Sequence, residues 1–431
     1  MRAKLRFIGR VSRALGIVLA LAFLLVRSTQ EVGDQTEKVR AFTRNTEFDF
    51  ATWTLDALQI KIAQIGLGAE RYISPADQHQ IVIDYFELIT RIQQTEGDLD
   101  AYYTSPDIIN PEIASQFTRE QLDQLYQQRN HLAPVAESII QNQLSAVTTE
   151  LGLGFGGQPL PPVLYHVTPL PLALIVSPRA VIHQDEDISL DPNLTVDQRA
   201  AIETQVDRAL DVSSVVVNIG GVGMYPTMVK QTSDTAWMFE VVAHEWVHNY
   251  LTLRPLGLSY MKNYELRTIN ETTANMAGIE ISELLIERFY PELIPPPEPQ
   301  PEYAPTDEPA AEGETPPVFE YRAAMHETRV TADELLAEGK IEAAEAYMEA
   351  RRQIFLENGY SIRKLNQAWF AFHGAYADSP GGSSGASGVA EVSVGDIVLK
   401  LRQRSSSLSD FLFRISWIWS YEQLQKMVVL H

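Results

Sequence analysis

The chain of 431 residues contains no cysteine. Disulfide bonds, catalysis by a thiolate and zinc sites built from cysteine are therefore excluded. Any metal site must use histidine, aspartate or glutamate side chains. With 45% hydrophobic and 21% charged residues, the composition is that of a globular protein long enough for two or three domains. This balance excludes a collagen-like, a wholly disordered or a multi-span membrane protein.

Basic residues are scarce and unevenly placed. The chain has 34 Lys and Arg residues against 56 Asp and Glu residues, which gives a formal net charge of −22. Five of the basic residues fall within the first 13 positions, which contain no acid, so 29 basic residues face 56 acidic ones in the rest. A body this acidic repels phosphate backbones, and we therefore expect no nucleic-acid partner.

One long apolar run lies close to the N-terminus. Residues 14–26 (ALGIVLALAFLLV) are uncharged and follow the basic segment, which predicts a signal anchor or transmembrane helix over residues 1–30. No small-x-small cleavage site follows, which favours an uncleaved anchor over a cleaved signal; a buried apolar helix of a soluble protein is the other interpretation. Because the basic flank should stay cytoplasmic, we expect a single-pass membrane protein with residues 28–431 on the extracytoplasmic side.

The patterns of apolar, turn and proline residues divide the rest of the chain into four regions. Residues 31–151 are predicted to form a helical domain, and a Gly-rich loop at their end introduces an α+β core over residues 152–290. Residues 291–317 contain ten prolines and seven acids, which predicts a linker or insertion. Residues 318–431 are predicted to form a helical C-terminal subdomain. The expected fold class is α+β, predominantly helical, with a small β-sheet.

The strongest chemical signal is the pentapeptide His244-Glu245-Trp246-Val247-His248. It lies in a segment from about Asp234 to Leu251 that has a helical pattern and no internal Gly or Pro. On a helix, His244 and His248 lie one turn apart on the same face, so both imidazoles can reach one metal ion. Glu245 is rotated by about 100° from His244 and can hydrogen-bond a metal-bound water without being a ligand. This arrangement suits zinc-dependent hydrolysis.

A catalytic zinc site needs a third protein ligand, and a second helical segment supplies a candidate. From about Asn263 to Phe289 the pattern is helical, and Glu271, Ala274, Asn275 and Gly278 form one stripe at positions i, i+3, i+4 and i+7. The small residues in this stripe allow two helices to approach closely. Glu271 can then bind the ion, and Asn275 can hydrogen-bond the second nitrogen of a zinc-binding histidine.

These two motifs together make the sequence resemble the gluzincins, the thermolysin-like superfamily of zinc metallopeptidases. The likeness covers roughly residues 213–289. Asn270-Glu271 with Asn275 is similar to the thermolysin pattern NExxxD, with Asn in the last position, and Glu271 with Ala274 is similar to the ExxA part of the CAAX prenyl-protein endopeptidases.

The resemblance implies a gluzincin-like core with one Zn²⁺ per chain. It implies His244, His248 and Glu271 as the zinc ligands and Glu245 as the general base. It also implies a side chain that stabilises the oxyanion of the transition state, usually a His or Tyr from downstream. We assign this catalytic role to His373, for which a structural histidine is the alternative. The other candidates are Tyr260, Tyr264 and Tyr376.

The resemblance further implies a strand that binds the substrate. In gluzincins an edge strand upstream of the zinc helix pairs with the extended peptide by β-augmentation. Ser213–Ile219, which has a strong strand pattern, and Met224–Val229 are the two candidates. Gluzincin aminopeptidases carry GxMEN in this region, and in Val222–Pro226 only Met224 matches. This difference argues against aminopeptidase specificity.

The sequence therefore predicts a membrane-anchored, extracytoplasmic zinc metallopeptidase whose partners are a peptide or protein substrate and the membrane. A second hypothesis is a catalytically inactive pseudo-peptidase that serves as an envelope binding or scaffold module and retains zinc for stability. A third hypothesis involves no zinc, and the helical regions then carry the function.

Overall fold

In the computed structural model, residues 34–104, 108–294, 319–374 and 394–429 are described. They are predominantly helical and include three small β-sheets, so the α+β expectation is confirmed at this level. The predicted anchor over residues 1–30 and most of the Pro-rich segment 291–317 lie outside the described residues. Within the described residues, no helix has both the length and the apolar character needed to cross a membrane.

The first part of the described chain, residues 34–104 and 108–150, is helical, as predicted. Two helices, α3 and α5, form its body, and their apolar faces share one core. The helices are α1 (Gln35–Thr43), α2 (Phe50–Leu67), α3 (Pro75–Thr104), the short α4 (Pro111–Ala114) and α5 (Gln116–Glu150). A single 3-10 turn, Ala69–Tyr72, connects α2 to α3.

Eight short strands follow and form three sheets. The strands are β1 (Gly154–Phe155), β2 (Gln158–Pro159), β3 (Tyr165–Val167), β4 (Leu172–Pro178), β5 (Glu186–Leu190), β6 (Val212–Asn218), β7 (Gly221–Val222) and β8 (Thr227–Val229). Strands β5, β4 and β6 form an antiparallel sheet in that order. Strands β3, β8 and β7 form a second sheet, in which β3 and β8 are parallel and β7 is an edge strand. The predicted Gly-rich loop at residue 152 contains a small hairpin of β1 and β2, which is a correction to that expectation.

The remaining helices complete the fold. They are α6 (Val196–Leu210), α7 (Thr235–Leu251), α8 (Pro255–Leu258), α9 (Tyr264–Phe289), α10 (Tyr321–Ala337), α11 (Ile341–Glu357), α12 (Gln367–Gly374), α13 (Val394–Gln403), α14 (Leu408–Ser416) and α15 (Tyr421–Val429). A 3-10 turn, Pro291–Leu293, follows α9. Helices α7 and α9 pack along each other at the centre of the largest hydrophobic core, which α3, α5, α13, α14 and α15 also enter. One face of the β5-β4-β6 sheet packs on α10, α11 and α12, and the other face packs on α6.

A buried ion pair ties the N-terminal helices to the sheet that borders α7. Lys61 of α2 and Glu137 of α5 are 1% and 2% exposed, and their Nζ and Oε2 atoms are 2.6 Å apart. The other carboxylate oxygen of Glu137 accepts a hydrogen bond of 2.9 Å from the backbone N–H of Val167 in β3. Burial raises the pKa of Glu137, but the charges of Lys61 and His166 lower it to about 2. Glu137 is therefore an anion inside the protein.

We expect the Lys61→Met substitution to destabilise the protein by about 3–5 kcal/mol, because it leaves Glu137 buried without its main cation. The measurement is the free energy of unfolding in urea at pH 7. Because the folded pKa of Glu137 is depressed, its stabilising contribution is present above its ordinary pKa of 4.5 and is lost as the pH falls towards 2. The difference in the free energy of unfolding between wild type and Lys61→Met should therefore shrink as the pH falls from 4.5 towards 2. The exposed Lys38 gives the control, and Lys38→Met should change stability by less than about 0.5 kcal/mol. Equal effects of the two substitutions would contradict the proposed contribution of the pair.

Candidate metal centre

Helix α7 presents the two histidines as predicted. Asp234 caps its N-terminus by accepting a hydrogen bond from the backbone N–H of Trp237. Phe239, Val242, Ala243 and Val247 are buried on the face that enters the core. The opposite face carries His244 and His248 into an open cleft. The Nε2 atoms of the two imidazoles are 3.0 Å apart, so both rings point to the same place.

Helix α9 brings Glu271 to the same place because it lies unusually close to α7. Asn263 caps the start of α9 by accepting a hydrogen bond from the N–H of Leu266. At Gly278, a β-carbon would lie 3.1 Å from both the Cα and the backbone nitrogen of His244. A side chain at this position would have to push the backbone of α7 away by a few tenths of an ångström. The predicted small-residue stripe is thus the contact surface between the two helices.

The three predicted ligands converge on one point. Oε2 of Glu271 lies 3.6 Å from Nε2 of His244 and 3.5 Å from Nε2 of His248. Three ligand atoms bound to a tetrahedral zinc at 2.0–2.1 Å are separated by about 3.3–3.4 Å. The observed triangle of 3.0, 3.5 and 3.6 Å matches that geometry closely. Among the described residues, this trio is the one group of three His, Asp or Glu side chains with metal-binding spacing.

The carboxylate of Glu271 has one oxygen held by the protein and one left for an ion. Oε1 accepts a hydrogen bond from the hydroxyl of Tyr260, and that hydroxyl receives a bond of 3.3 Å from Nε of Arg267. Oε2 is buried and has no hydrogen-bond partner among the residues described here. A buried carboxylate oxygen without a partner is costly, and a cation removes that cost. The donor set of two imidazoles and one carboxylate fits zinc.

The charges of the trio are strongly coupled. Burial lowers the pKa of His248, but the Glu271 carboxylate raises it to about 9. Burial raises the pKa of Glu271, but His248 and His244 lower it well below its ordinary value. The carboxylate is therefore ionised at neutral pH, and a metal ion must displace a proton from His248 when it binds.

The sequence analysis missed the side chain that orients His248. Nδ1 of His248 lies 2.9 Å from Oδ1 of Asn270, so Nδ1 carries the proton and Nε2 is directed at the candidate metal position. We assigned this kind of role to Asn275, which lines the same cleft. For the neighbour of His248 the correct residue is Asn270. Its position directly before Glu271 in the NExxxN motif was the available signal.

Glu245 lies on the floor of the cleft, next to strand β7. The residue is 7% exposed, and a β-carbon on Gly221 would lie 2.5 Å from its Oε1 atom. A side chain at position 221 would therefore force the side chain of Glu245 to shift. Asn249, one turn after Glu245, donates hydrogen bonds of 3.0 Å to the carbonyl of Met224 and to the hydroxyl of Thr227, which fixes the loop above α7. Burial raises the pKa of Glu245, and the two histidines lower it only in part.

The cleft has a volume of about 920 Å³, which lies within the range of ligand-binding pockets. Glu245, His244, His248 and Glu271 line its floor. The backbone of residues 220–224 forms one wall, and a second wall includes the exposed side chains of Leu258 and Met261.

The structure separates the candidates for oxyanion stabilisation. His373 lies in α12 with its ring centroid 4.2 Å from that of Trp369, and it is the neighbouring Phe372 that lines the cleft. Burial lowers the pKa of His373 to about 4, as for a neutral packed histidine. The hydroxyl of Tyr264 donates to the carbonyl of Gly374. Tyr376 lies outside the described residues. Tyr260 is the candidate that the structure brings to the metal ligands.

The contact at Gly278 leads to a prediction on stability. Gly278→Ala should destabilise the protein by about 1–3 kcal/mol, because the backbone of α7 cannot move away without opening the core. Gly97→Ala is a matched control, since Gly97 is an exposed helical glycine whose added β-carbon would meet nothing within 4 Å. That control should be neutral or stabilising by up to about 1 kcal/mol. The measurement is the thermal unfolding of both variants. Equal unfolding temperatures for Gly278→Ala and Gly97→Ala would show that α7 and α9 are not in tight contact.

The convergence of the three ligands leads to a prediction on metal binding. After dialysis with zinc, wild type should retain one zinc per chain, and Glu271→Gln should lose it. Glu283→Gln, which removes an exposed carboxylate from the same helix, should retain it. Added zinc should also raise the unfolding temperature of wild type and of Glu283→Gln, but not of Glu271→Gln, because only a ligand of the folded state stabilises it. If the wild-type protein remained folded but retained no zinc after this dialysis, the proposed site would be excluded.

Comparison with known proteins leaves this site without a relative. No protein-family model, no curated protein and no solved structure matches the chain. The resemblance to gluzincins therefore rests on the sequence motifs that contain His244, Glu245, His248 and Glu271.

Proposed function

We propose that the protein is a zinc-dependent metallopeptidase that hydrolyses peptide bonds. One observation carries the proposal: Nε2 of His244, Nε2 of His248 and Oε2 of Glu271 converge at zinc spacing on the floor of an open cleft. Glu245 lies on the same floor and is not part of the trio. Three ligands and a separate carboxylate are the minimum that zinc-assisted hydrolysis requires.

The positions of the side chains indicate the role of each one in the proposed reaction. His244, His248 and Glu271 would hold the ion, which when bound polarises a carbonyl group and lowers the pKa of a water molecule. Glu245 accepts the proton of the attacking water and later passes it to the leaving amine. Because burial raises its pKa, Glu245 holds a proton more readily than an exposed carboxylate, as a general base that must later act as an acid requires.

The edge strand β7 is the part of the cleft best suited to bind a peptide backbone. It pairs with β8 on one side only and ends the β3-β8-β7 sheet. Residues 220–224 line the cleft beside Glu245 and include three glycines, so their backbone groups are not covered by large side chains. An extended peptide that added a strand to β7 would pass over the metal ligands. The sequence analysis placed this edge in the neighbouring segments Ser213–Ile219 and Met224–Val229.

We further propose that the enzyme is anchored in a membrane with its cleft on the extracytoplasmic side. The support is the sequence of residues 1–30, in which basic residues precede an apolar run. The substrate would then be a peptide or protein outside the cytoplasm.

The Glu245→Gln variant tests the mechanism. It removes the proton acceptor and preserves the shape of the side chain, so we expect one zinc per chain and a loss of peptide cleavage of about 10²–10⁴-fold. The measurement is cleavage of a diverse peptide library by mass spectrometry, with metal content determined on the same samples. Glu283→Gln is the control and should cleave like wild type.

Two outcomes would contradict the proposal in different ways. Equal cleavage by wild type and Glu245→Gln would assign the base to another residue. Zinc bound by wild type without any cleavage would favour the pseudo-peptidase hypothesis, in which the metal stabilises a binding module.

A further inference from the structure

Helix α2 exposes an apolar surface to solvent. Eleven of its residues are exposed, and Asp56 is the only charged one among them. The exposed set includes Leu55, Ile62 and Leu67, which are 69%, 69% and 76% accessible, and also Ile60 and Ile65. An amphipathic helix on a globular protein normally turns such residues towards the core. Leu55, Ile62 and Ile65 recur at i, i+7 and i+10 and so share one stripe of the helix, and an exposed apolar stripe of this kind marks an interaction surface.

The side of α2 that faces the protein interior carries a buried lysine, which is unusual for a helix with exposed apolar residues. The residues of α2 that are buried are Ala57 and Lys61. The lysine is fixed inside by its ion pair with Glu137, and the indole N–H of Trp53 is bonded to the hydroxyl of Thr168. The helix therefore keeps its one basic side chain inside and exposes five of its six leucines and isoleucines. Each large apolar side chain left in water forgoes the free energy of burial.

We propose that this face of α2 lies in the interfacial layer of the membrane. The position of the helix in the chain supports this occupant. Helix α2 starts 24 positions after residue 26, the end of the apolar run that predicts a membrane anchor. The linking residues, which include the short α1, leave α2 within reach of the bilayer that would hold the anchor.

The chemistry of the surface also fits a membrane. The interfacial layer favours apolar side chains next to aromatic and basic ones. Past the C-terminal end of α2, Arg71 and Tyr72 are exposed, and Tyr72 is 89% accessible. The rest of the chain is strongly acidic and repels an anionic lipid surface. The exposed face of α2 carries a single acid, so an anionic lipid surface meets the least repulsion there.

The geometry indicates that α2 lies along the membrane and does not cross it. One long side of the helix packs against α5 and carries the Lys61–Glu137 pair, so lipid can reach only the opposite side. A helix in this position would orient the whole protein. Through Glu137 and Val167 it is tied to the β3-β8-β7 sheet, and β7 borders the cleft.

The absence of cysteine makes a direct test possible. The full chain is reconstituted in vesicles of phosphatidylcholine and phosphatidylglycerol and recovered with them by flotation. A nitroxide is attached to a single cysteine introduced by Ile62→Cys or, independently, by Leu55→Cys. Val196→Cys is the matched control, because Val196 is also an exposed aliphatic residue, 59% accessible, but belongs to α6. Collision of the label with oxygen reports lipid, and collision with a water-soluble nickel chelate reports water.

We expect the oxygen-to-nickel collision ratio at positions 62 and 55 to be several-fold higher than at position 196. Labels at 62 and 55 that are as accessible to nickel as the control would overturn the proposal, as would failure of the protein to float with the vesicles. Labels shielded from both reagents would also overturn it. They would show that protein covers this face of α2, either a second copy of the chain or the segment 14–26. Dilution of the protein in the vesicles would distinguish the two, because only contact with a second copy is lost on dilution. None of these outcomes depends on the proposed peptidase activity.

Discussion

The contact of α7 and α9 at Gly278 determines the rest of the site. Two helices normally lie 8–10 Å apart because their side chains separate them. Here the missing side chain lets the backbone of His244 approach that of Gly278, and Glu271 reaches the two imidazoles. The buried residues on both helices belong to the largest core of the molecule. The metal ligands are thus held by hydrophobic packing and not by a loop.

The sequence predicts the site well where local rules apply. Asp234 and Asn263, where the two helical segments are predicted to begin, each cap a helix, and the observed helices begin directly after them. The spacing of His244 and His248, and the stripe that contains Glu271, depend only on helix periodicity. Strand β6, observed over Val212–Asn218, lies within one residue of the predicted Ser213–Ile219.

The features that the sequence does not predict depend on tertiary contacts. The bond from Asn270 to His248 joins two helices, and the bond from Tyr260 to Glu271 joins a loop to a helix. The close approach of Gly221 to Glu245 joins a strand to a helix. Tertiary contacts also decide which histidine lines the cleft. The residues next to His373 in the sequence therefore do not predict its position. The inward direction of Lys61 is the clearest case, because a lone lysine in an apolar helix normally faces water.

The rigid spacing of the ligands has a consequence for the choice of metal. A frame fixed by packed helices cannot expand to the six to eight oxygen ligands that calcium prefers, nor supply the octahedral oxygen shell of magnesium. Both ions are hard, whereas two of the three donor atoms here are imidazole nitrogens. For the ion that we propose here, these donor types favour zinc and its neighbours in the first transition row over the abundant alkaline-earth ions.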